Sequence, residues 1–436
     1  MSICELVVED FGPIKEGHME FANLTVLTGP QNSGKTYLAM LFYALSELGS
    51  SLTDHLIIDA IAKTLYVHGV QGSLSPEVLQ DLVDKHLDEI IKSTAGMIKE
   101  HGERIISSQL RSCFLTHDLR PLVRKGADRA RITCTYDICE YRARISSTIE
   151  QGLAIREVQI DDGLIPEFLK QTQLSMSIDE GRASVVRIRV LRERGRALYI
   201  PAERFAIISS FSSYISLLLD IHRHLFEREF TERIFGRIGL GIRRPLLDYI
   251  EVVNWLVREP LLEEVFEEAA TPKSVLELGH FTIEDGRIWY IDPKGAKLPV
   301  ELASSGIAQL IGLMLPLSVA FPYPFTYDVV IVEEPEINLH PDLHIAVARF
   351  LAELSTRYKV FITTHSHYVL AELSNLLTSG KLRGIRAYYI DPREDRIVPL
   401  AIDRREGIEL PKSMEKAISI LADEALASFS KAIGIE

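Results

Sequence analysis

The chain has 436 residues, of which 47% are apolar and 25% are charged, and its formal net charge is −13. This composition is typical of a soluble globular protein and excludes a long disordered chain. The acidic balance excludes a protein that coats nucleic acid indiscriminately, although it leaves room for a local basic groove. Its four cysteines show no CxxC motif and no zinc-ligand spacing, which favours a reducing, cytoplasmic setting.

Two segments bear on membrane association. The N-terminal sequence MSICELVVEDFGPI lacks the basic and apolar regions of a signal peptide. Residues 302–321 are mostly apolar over a length that could span a bilayer, but they include serines, glutamine, glycine and proline. Such residues favour a buried helix of a soluble core, so we expect no membrane partner.

The first predicted elements surround a phosphate-binding motif. Residues 3–28 alternate short apolar runs with Gly and Pro, as strands and turns do, and a helix is predicted from Lys35 to about Leu48. Between them, GPQNSGKT matches GxxxxGK[ST]. In such a loop the backbone N–H groups and the helix start bind phosphate oxygens, the lysine reaches the β- and γ-phosphates, and the Thr36 hydroxyl ligates Mg²⁺. The predicted ATP-binding residues of this loop are Gly29, Asn32, Ser33, Gly34, Lys35 and Thr36.

A long insertion is predicted between two halves of one ATP-binding core. The halves are residues 1–48 and 290–400. The insertion, residues 49–289, is predicted to be mostly helical, with a β segment at about residues 130–200 where polar and β-branched residues alternate. Residues 401–436 are predicted to close the chain with a helix.

A second anion-binding helix start is predicted after a β-hairpin that turns at Asp285–Gly286. Ser304, Ser305 and Gly306 precede an apolar helix. Serine hydroxyls and a glycine amide at a helix N-terminus can bind an anion without a lysine. A helix cap without any ligand is the alternative interpretation.

Two buried strands are predicted to end in polar residues. Residues 329–332 are all apolar and β-branched, and Glu333 and Glu334 follow them. The carboxyl ends of strands are where open α/β sheets bind ligands. Glu333 is therefore a candidate Mg²⁺ ligand, and Glu334 a candidate general base for the attacking water; two exposed glutamates at a strand end is the alternative.

The second of these strands ends just before His365. A neutral imidazole there suits a hydrogen bond to the γ-phosphate or to the attacking water, so His365 is predicted to be catalytic. His365 and His367 together could instead form a metal site, but no carboxylate or cysteine spacing supports that alternative.

The order of these motifs resembles the ABC ATPase superfamily, and within it the RecF/OLD-type AAA ATP-binding proteins. Besides the phosphate loop, the segments that carry the resemblance are Phe11–Lys15, Tyr199–Arg204, Glu333–Pro341 and Thr364–Ser366. Two features depart from the family pattern: Glu333 stands where many relatives carry Asp, and the glutamine that senses the γ-phosphate has no counterpart that we could place.

The resemblance implies an α/β P-loop NTPase fold and an ATPase that works as a head-to-tail homodimer around two ATPs with Mg²⁺. Ser304, Ser305 and Gly306 of one subunit would contact the γ-phosphate that Lys35 of the other subunit holds. Arg204 has three interpretations: it lines the nucleotide, it transmits closure to the insertion, or it forms a surface salt bridge.

Three functions follow from these motifs. The first is a DNA-repair or anti-phage and mobile-element defence ATPase that signals closure to a separately encoded effector or nuclease. The second is an ATP-dependent scaffold or sensor without DNA, against which the water-activating Glu334 argues. The third is a transporter nucleotide-binding subunit, whose insertion would be far smaller. DNA remains an open partner because basic residues cluster at 120–131 and 187–196, although a solvated surface is the favoured interpretation of such clusters.

Overall fold

The structure is a computed structural model. The residues that it describes are 2–51, 55–138, 140–180, 182–187, 197–210, 243–258, 278–318, 327–411 and 419–420. Within these residues the α-helices are α1 (Lys35–Ser51), α2 (Ile57–Val67), α3 (Pro76–Lys85), α4 (Leu87–Phe114), α5 (Leu164–Thr172), α6 (Arg204–Ser209), α7 (Arg244–Arg258), α8 (Ser305–Ser318), α9 (Pro341–Leu354) and α10 (His367–Thr378). Short 3₁₀ turns lie at Arg120–Leu122 and Val300–Leu302.

The strands fall into one large sheet and three small ones. Those of the N-terminal part are β1 (Ser2–Phe11), β2 (Ile14–Glu20), β3 (Leu24–Thr28), β4 (Gly72–Leu74), β5 (Ala130–Ile138), β6 (Tyr141–Ile149), β7 (Leu153–Ile160), β8 (Ser175–Asp179), β9 (Arg182–Arg187) and β10 (Ala197–Ile200). Those of the C-terminal part are β11 (His280–Glu284), β12 (Arg287–Ile291), β13 (Lys297–Pro299), β14 (Val329–Glu333), β15 (Lys359–Thr364), β16 (Ile385–Asp391), β17 (Arg396–Pro399), β18 (Ile402–Asp403) and β19 (Gly407–Ile408).

The large sheet has eleven strands in the order β10-β14-β15-β3-β16-β17-β2-β1-β5-β6-β7. The first five of these neighbours run parallel, whereas the outer half of the sheet is mostly antiparallel. Every residue of β3, β10 and β14 is buried, as expected of parallel strands that are covered on both faces. The predicted α/β class is therefore confirmed.

Two hydrophobic cores lie on opposite faces of the parallel strands. Successive side chains of a strand point to opposite faces, so neighbours in β14 join different cores. Ile331 packs in the core that contains Leu41 of α1, and Val330 packs in the core that contains Leu351 of α9. The sheet is thus a three-layer sandwich that fixes the ends of its central strands.

The parallel register brings three strand ends to one edge of the sheet. Glu333 of β14 is opposite Thr363 of β15, and Thr364 of β15 is opposite Thr28 of β3. The phosphate loop, which follows β3, therefore lies beside the residues that follow β14 and β15.

The strands of the predicted insertion join the same sheet as the ATP-binding core. β5, β6 and β7 extend it from β1, and β10 pairs with β14. The hairpin turning at Asp285–Gly286 is confirmed by β11 and β12. The division into residues 1–48 with 290–400 and an insertion of 49–289 stays a prediction, and most of the predicted C-terminal helix lies outside the described residues.

The apolar segment of residues 302–321 contains the 14-residue helix α8, and residues 319–321 lie outside the described part. None of the helices that the structure describes is both long enough and apolar enough to cross a membrane.

Candidate nucleotide-binding site

The phosphate loop joins β3 to α1 along a path that needs glycine. Gly34 has a φ of +102°, and a methyl group at this position would lie 2.6 Å from Cγ of Pro13 in the β1–β2 turn. Asn32, whose side chain tolerates the left-handed region, has a φ of +59°. The loop therefore packs at Gly34 against the β1–β2 turn, which begins at Gly12.

Lys35 is held inside this loop. Its side chain is only 5% exposed, and Nζ donates to the carbonyls of Gly29 (3.0 Å) and Pro30 (2.8 Å). Burial lowers the pKa of Lys35 to about 8, although nearby carboxylates such as Glu334 act in the opposite direction. The ammonium thus sits among carbonyl dipoles at the point where the loop can receive an anion.

Glu333 and Thr36 supply a pair of oxygen ligands. Glu333 is 4% exposed, and its carboxyl interacts with the Thr36 hydroxyl. Burial raises the pKa of Glu333, and its Oε1 has no hydrogen-bond partner among the described residues. Hard oxygen ligands of this kind suit Mg²⁺, and a divalent cation would satisfy the orphaned oxygen. The residues present therefore fit the predicted metal.

Tyr199 of β10 lies next to the same carboxyl. Its hydroxyl interacts with Glu333 without reaching hydrogen-bond geometry and has no other partner in the described chain. Burial, and then the charge of Glu333, raises the pKa of Tyr199 well above its usual value. A buried hydroxyl without a hydrogen-bond partner costs about 1–3 kcal/mol. At this edge of the sheet, the Tyr199 hydroxyl and Oε1 of Glu333 both lack such a partner among the described residues.

Glu334 and His365 face each other across the end of the sheet. Nε2 of His365 lies 3.4 Å from Oε1 of Glu334, and both side chains are 31% exposed. The hydrogen bond to His365 lowers the pKa of Glu334, and the charge of Lys35 adds to this effect. Glu334 is thus an ionised carboxylate that can accept a proton from water.

The backbone at Glu334 adopts an uncommon conformation. Its φ is +41°, in the left-handed region, and its N–H donates to the carbonyl of Thr363 at 2.9 Å. Such a conformation costs of order 1–3 kcal/mol in a non-glycine residue and persists only when the surroundings fix it. The turn after β14 is consequently held by its neighbours rather than by its own preference.

Glu336 anchors the segment that carries His365, a role that the sequence did not reveal. Its Oε1 accepts from the Thr364 hydroxyl (2.8 Å), the N–H of His365 (2.7 Å) and the N–H of Ser366 (3.2 Å). Ser366 in turn caps α10 through the N–H of Val369. The only signal in the sequence was a third carboxylate in the run EEPE, which pattern alone does not distinguish from a surface residue.

Arg204 is fully buried, so the surface salt-bridge interpretation is wrong. Among the described residues its guanidinium donates only to backbone carbonyls, and a burial-lowered pKa of about 10 leaves it charged at neutral pH. The acceptors are the carbonyls of Pro201 (2.9 Å), Gln309 (3.3 Å), Glu333 (3.0 Å), Glu334 (3.1 Å) and Pro335 (3.1 Å). Arg204 therefore fixes the turn after β14 against α8.

The predicted second anion site lies at the start of α8. Ser304 and Ser305 are exposed, and the Ser304 hydroxyl accepts from the N–H of Ile307 at 3.3 Å, as a helix cap does. A methyl group at Gly306 would lie 3.3 Å from the carbonyl of Asn338. These residues thus form an exposed surface with the loop of residues 337–340, which follows the glutamates.

The first basic cluster is largely engaged within the chain. Arg120 donates to the carbonyls of Ala127 and Asp128, whereas Arg124 pairs with Asp395 at 2.6 Å and Arg131 with Glu9 at 2.5 Å. The second cluster lies mostly outside the described residues. Within the described part, the pairing favours the solvated-surface interpretation.

Comparison with known proteins gives a family. The family model described as "AAA domain, putative AbiEii toxin, Type IV TA system" matches residues 24–371. No curated protein matches the chain. Solved structures also match, and three of them share between 12% and 14% identity with the chain.

The first is the SMC head domain from Thermotoga maritima (13% identity, 92% of this chain, 100% of that chain, TM-score 0.40). The second is the Smc head domain with an extended coiled coil, bound to the C-terminal domain of ScpA derived from Pyrococcus furiosus (14% identity, 97% of this chain, 99% of that chain, TM-score 0.41). The third is the recombination mediator protein RecF of the RecFOR pathway (12% identity, 92% of this chain, 98% of that chain, TM-score 0.40). The family match spans more than half of the chain and includes the phosphate loop and both strand ends, so this protein belongs to that family of AAA-domain P-loop ATPases.

Proposed function

We propose that the chain binds ATP with Mg²⁺ and hydrolyses it in a homodimer that encloses two composite sites, as ABC-type ATPases of the RecF/OLD kind do. Closure of the dimer would be signalled to a separately encoded effector or nuclease. The observation that carries the proposal is the ionised, partly exposed Glu334 beside His365, at the same sheet edge as the phosphate loop.

ATP binding is assigned to the phosphate loop. The α1 N-terminus and loop amides favour phosphate charge, and Lys35 supplies the cation. Bound Mg²⁺ would neutralise phosphate charge, and Thr36 and Glu333 would hold it. The full assigned set is Gly29, Asn32, Ser33, Gly34, Lys35 and Thr36, with Ser304, Ser305 and Gly306 from the partner protomer.

Hydrolysis is assigned to Glu334 as general base, with His365 orienting it and contacting the γ-phosphate or the water. A carboxylate kept ionised by an imidazole and exposed to solvent suits proton abstraction. A scaffold that only binds ATP has no need of this pair. This supports an ATPase over the scaffold or sensor alternative.

Dimerisation is supported by the surface around the start of α8. Leu302, an apolar side chain next to the exposed serines, is 71% exposed. Single exposed apolar residues are common on protein surfaces, so the support for an interface is the position of Leu302 beside serine hydroxyls at a helix start, where an anion can bind. A partner protomer would cover Leu302 while Ser304 and Ser305 contact its nucleotide.

The biological setting that we favour is cytoplasmic defence or DNA repair. The family description names a putative toxin of a type IV toxin–antitoxin system, which fits defence better than transport. A protein effector is favoured over DNA as the partner, because arginines such as Arg124 and Arg131 already pair with carboxylates of the same chain.

Steady-state ATP hydrolysis by the purified chain, with and without duplex DNA, tests this proposal. We expect Mg²⁺-dependent turnover that the Glu334→Gln variant loses. Faster hydrolysis in the presence of DNA would support a role in DNA repair or in DNA-directed defence. Hydrolysis at the same rate with and without DNA would support a protein effector. Absence of turnover under all conditions, with ATP bound, would refute the ATPase assignment in favour of the scaffold.

The pKa of Lys35 predicts a proton linkage. Because burial lowers this pKa to about 8, Lys35 is mostly neutral at pH 9 in the free protein. Bound triphosphate favours the charged amine, so ATP binding should take up about one proton at pH 9 and almost none at pH 7. Isothermal titration calorimetry of the unsubstituted protein with a non-hydrolysable ATP analogue, in buffers of different ionisation enthalpy, measures this uptake. Equal uptake at the two pH values would contradict it.

A further inference from the structure

Arg204 connects two parts of the site that the chain keeps far apart in sequence. Nε donates to the carbonyl of Gln309 in α8, whereas Nη1 and Nη2 donate to the carbonyls of Glu333, Glu334 and Pro335. One planar, rigid group thus binds the helix that begins at Ser305 and the turn that carries Glu334.

This connection is tight on the helix side as well. A methyl group at Gly312 of α8 would lie 3.2 Å from Cβ of Arg204 and 3.0 Å from the hydroxyl of Tyr249. Because the packing at Gly312 is this close, a shift of α8 along Arg204 would move Arg204 as well. The left-handed backbone of Glu334 depends on its surroundings, so movement of Arg204 reaches the general base directly.

We propose that Arg204 couples the two ATP sites of the dimer. The start of α8 would contact the nucleotide that the partner holds, whereas Glu334 acts on the nucleotide of its own protomer. Arg204 is the link between them: it sets the position of Glu334 according to the position of α8. This inference rests on the proposed dimeric ATPase. Arg204 acts as a positioning residue, because within the described part of the chain its guanidinium donates to backbone carbonyls.

The Arg204→Lys variant tests the coupling. Lysine keeps the charge, but its single ammonium cannot bridge α8 and the β14 turn in the same geometry. We expect kcat to fall by about 10- to 100-fold, since small displacements of a catalytic group have effects of this size. The Kd of a fluorescent ATP analogue should stay within about twofold, and the Hill coefficient for ATP should fall from above 1 to 1.

The Tyr249→Phe variant is the matched control. It removes a buried hydrogen bond of 2.8 Å to Gly312 in the same helix but leaves the β14 turn intact. We expect a lower Tm with kcat and the Hill coefficient close to the parental values. Gly312→Ala is a second test that keeps the guanidinium: its methyl group pushes α8 away from Arg204, so kcat and the Hill coefficient should both fall, although less than in Arg204→Lys.

Two groups of outcomes separate this inference from the proposed function. Suppose that the unsubstituted protein hydrolyses ATP cooperatively and that Arg204→Lys and Gly312→Ala keep its kcat and Hill coefficient. This result would overturn the coupling but not the proposed function. The same conclusion follows if the Hill coefficient of the parent is 1, or if ATP binding is lost together with kcat in both variants. A parent that neither hydrolyses ATP nor dimerises would instead overturn the proposed function.

Discussion

Replacement of Glu334 by Gln is expected to lower kcat for ATP hydrolysis by about 100-fold or more, because general-base catalysis typically contributes 10²- to 10⁴-fold. The amide has the shape of the carboxylate and can still contact His365, which lies 3.4 Å away, but it cannot take a proton from water. ATP should therefore remain bound. Single-turnover and steady-state assays measure kcat, and the fluorescent analogue measures binding.

Glu353→Gln is the control for the loss of one negative charge. Glu353 is exposed near the end of α9, which leads into the start of β15 and so lies away from the carboxyl ends of the strands. It should hydrolyse ATP at the parental rate. Parental turnover by Glu334→Gln would remove Glu334 from its catalytic role, and a loss of ATP binding in that variant would show that the glutamate acts earlier than the chemical step.

Lys35→Ala is expected to weaken ATP binding by about 100-fold. A hydrogen bond to a charged group contributes about 1.5–3 kcal/mol, and each 1.4 kcal/mol corresponds to a tenfold change in Kd. The same variant should not lose thermal stability, because burial already disfavours the Lys35 cation in the free protein. Equilibrium titration and a melting curve therefore separate lost binding from unfolding.

Lys15→Ala is the matched control for this variant. Lys15 has an exposed side chain in β2, and its backbone N–H donates to the carbonyl of Asp395 at 2.7 Å. Its removal should leave the Kd for ATP unchanged. If Lys35→Ala bound ATP with parental affinity, the phosphate loop could not be the nucleotide site.

The parts of the site that follow from local sequence were predictable. The phosphate loop needs glycine at position 34 because of its positive φ and its close contact with Pro13, and this need shows in the motif. Fully buried parallel strands appear as continuous β-branched runs, so β14 and its terminal glutamates could be located. Their carboxyl ends meet at one edge because the strands are parallel.

The remaining features depend on contacts between distant segments. Arg204 meets the carbonyls of Glu333, Glu334 and Pro335, which lie 129 to 131 residues later in the chain. A single basic residue after a strand carries no signal of such partners. In the sequence Glu336 likewise resembles any other acidic residue, and only the structure shows the three groups that donate to its carboxylate. The pairing of β1 with β5 is equally non-local, and strand patterns do not specify the neighbour of an outer strand.

The most direct test of the composite-site account is the solution mass of Glu334→Gln with and without Mg²⁺ and ATP, measured by light scattering. The protomer has a mass of 49.1 kDa. We predict that ATP doubles this mass and that adding Ser305→Arg, which places a bulky side chain at the exposed start of α8, restores the monomer while ATP stays bound. A monomer that binds ATP without any change of mass would contradict the account.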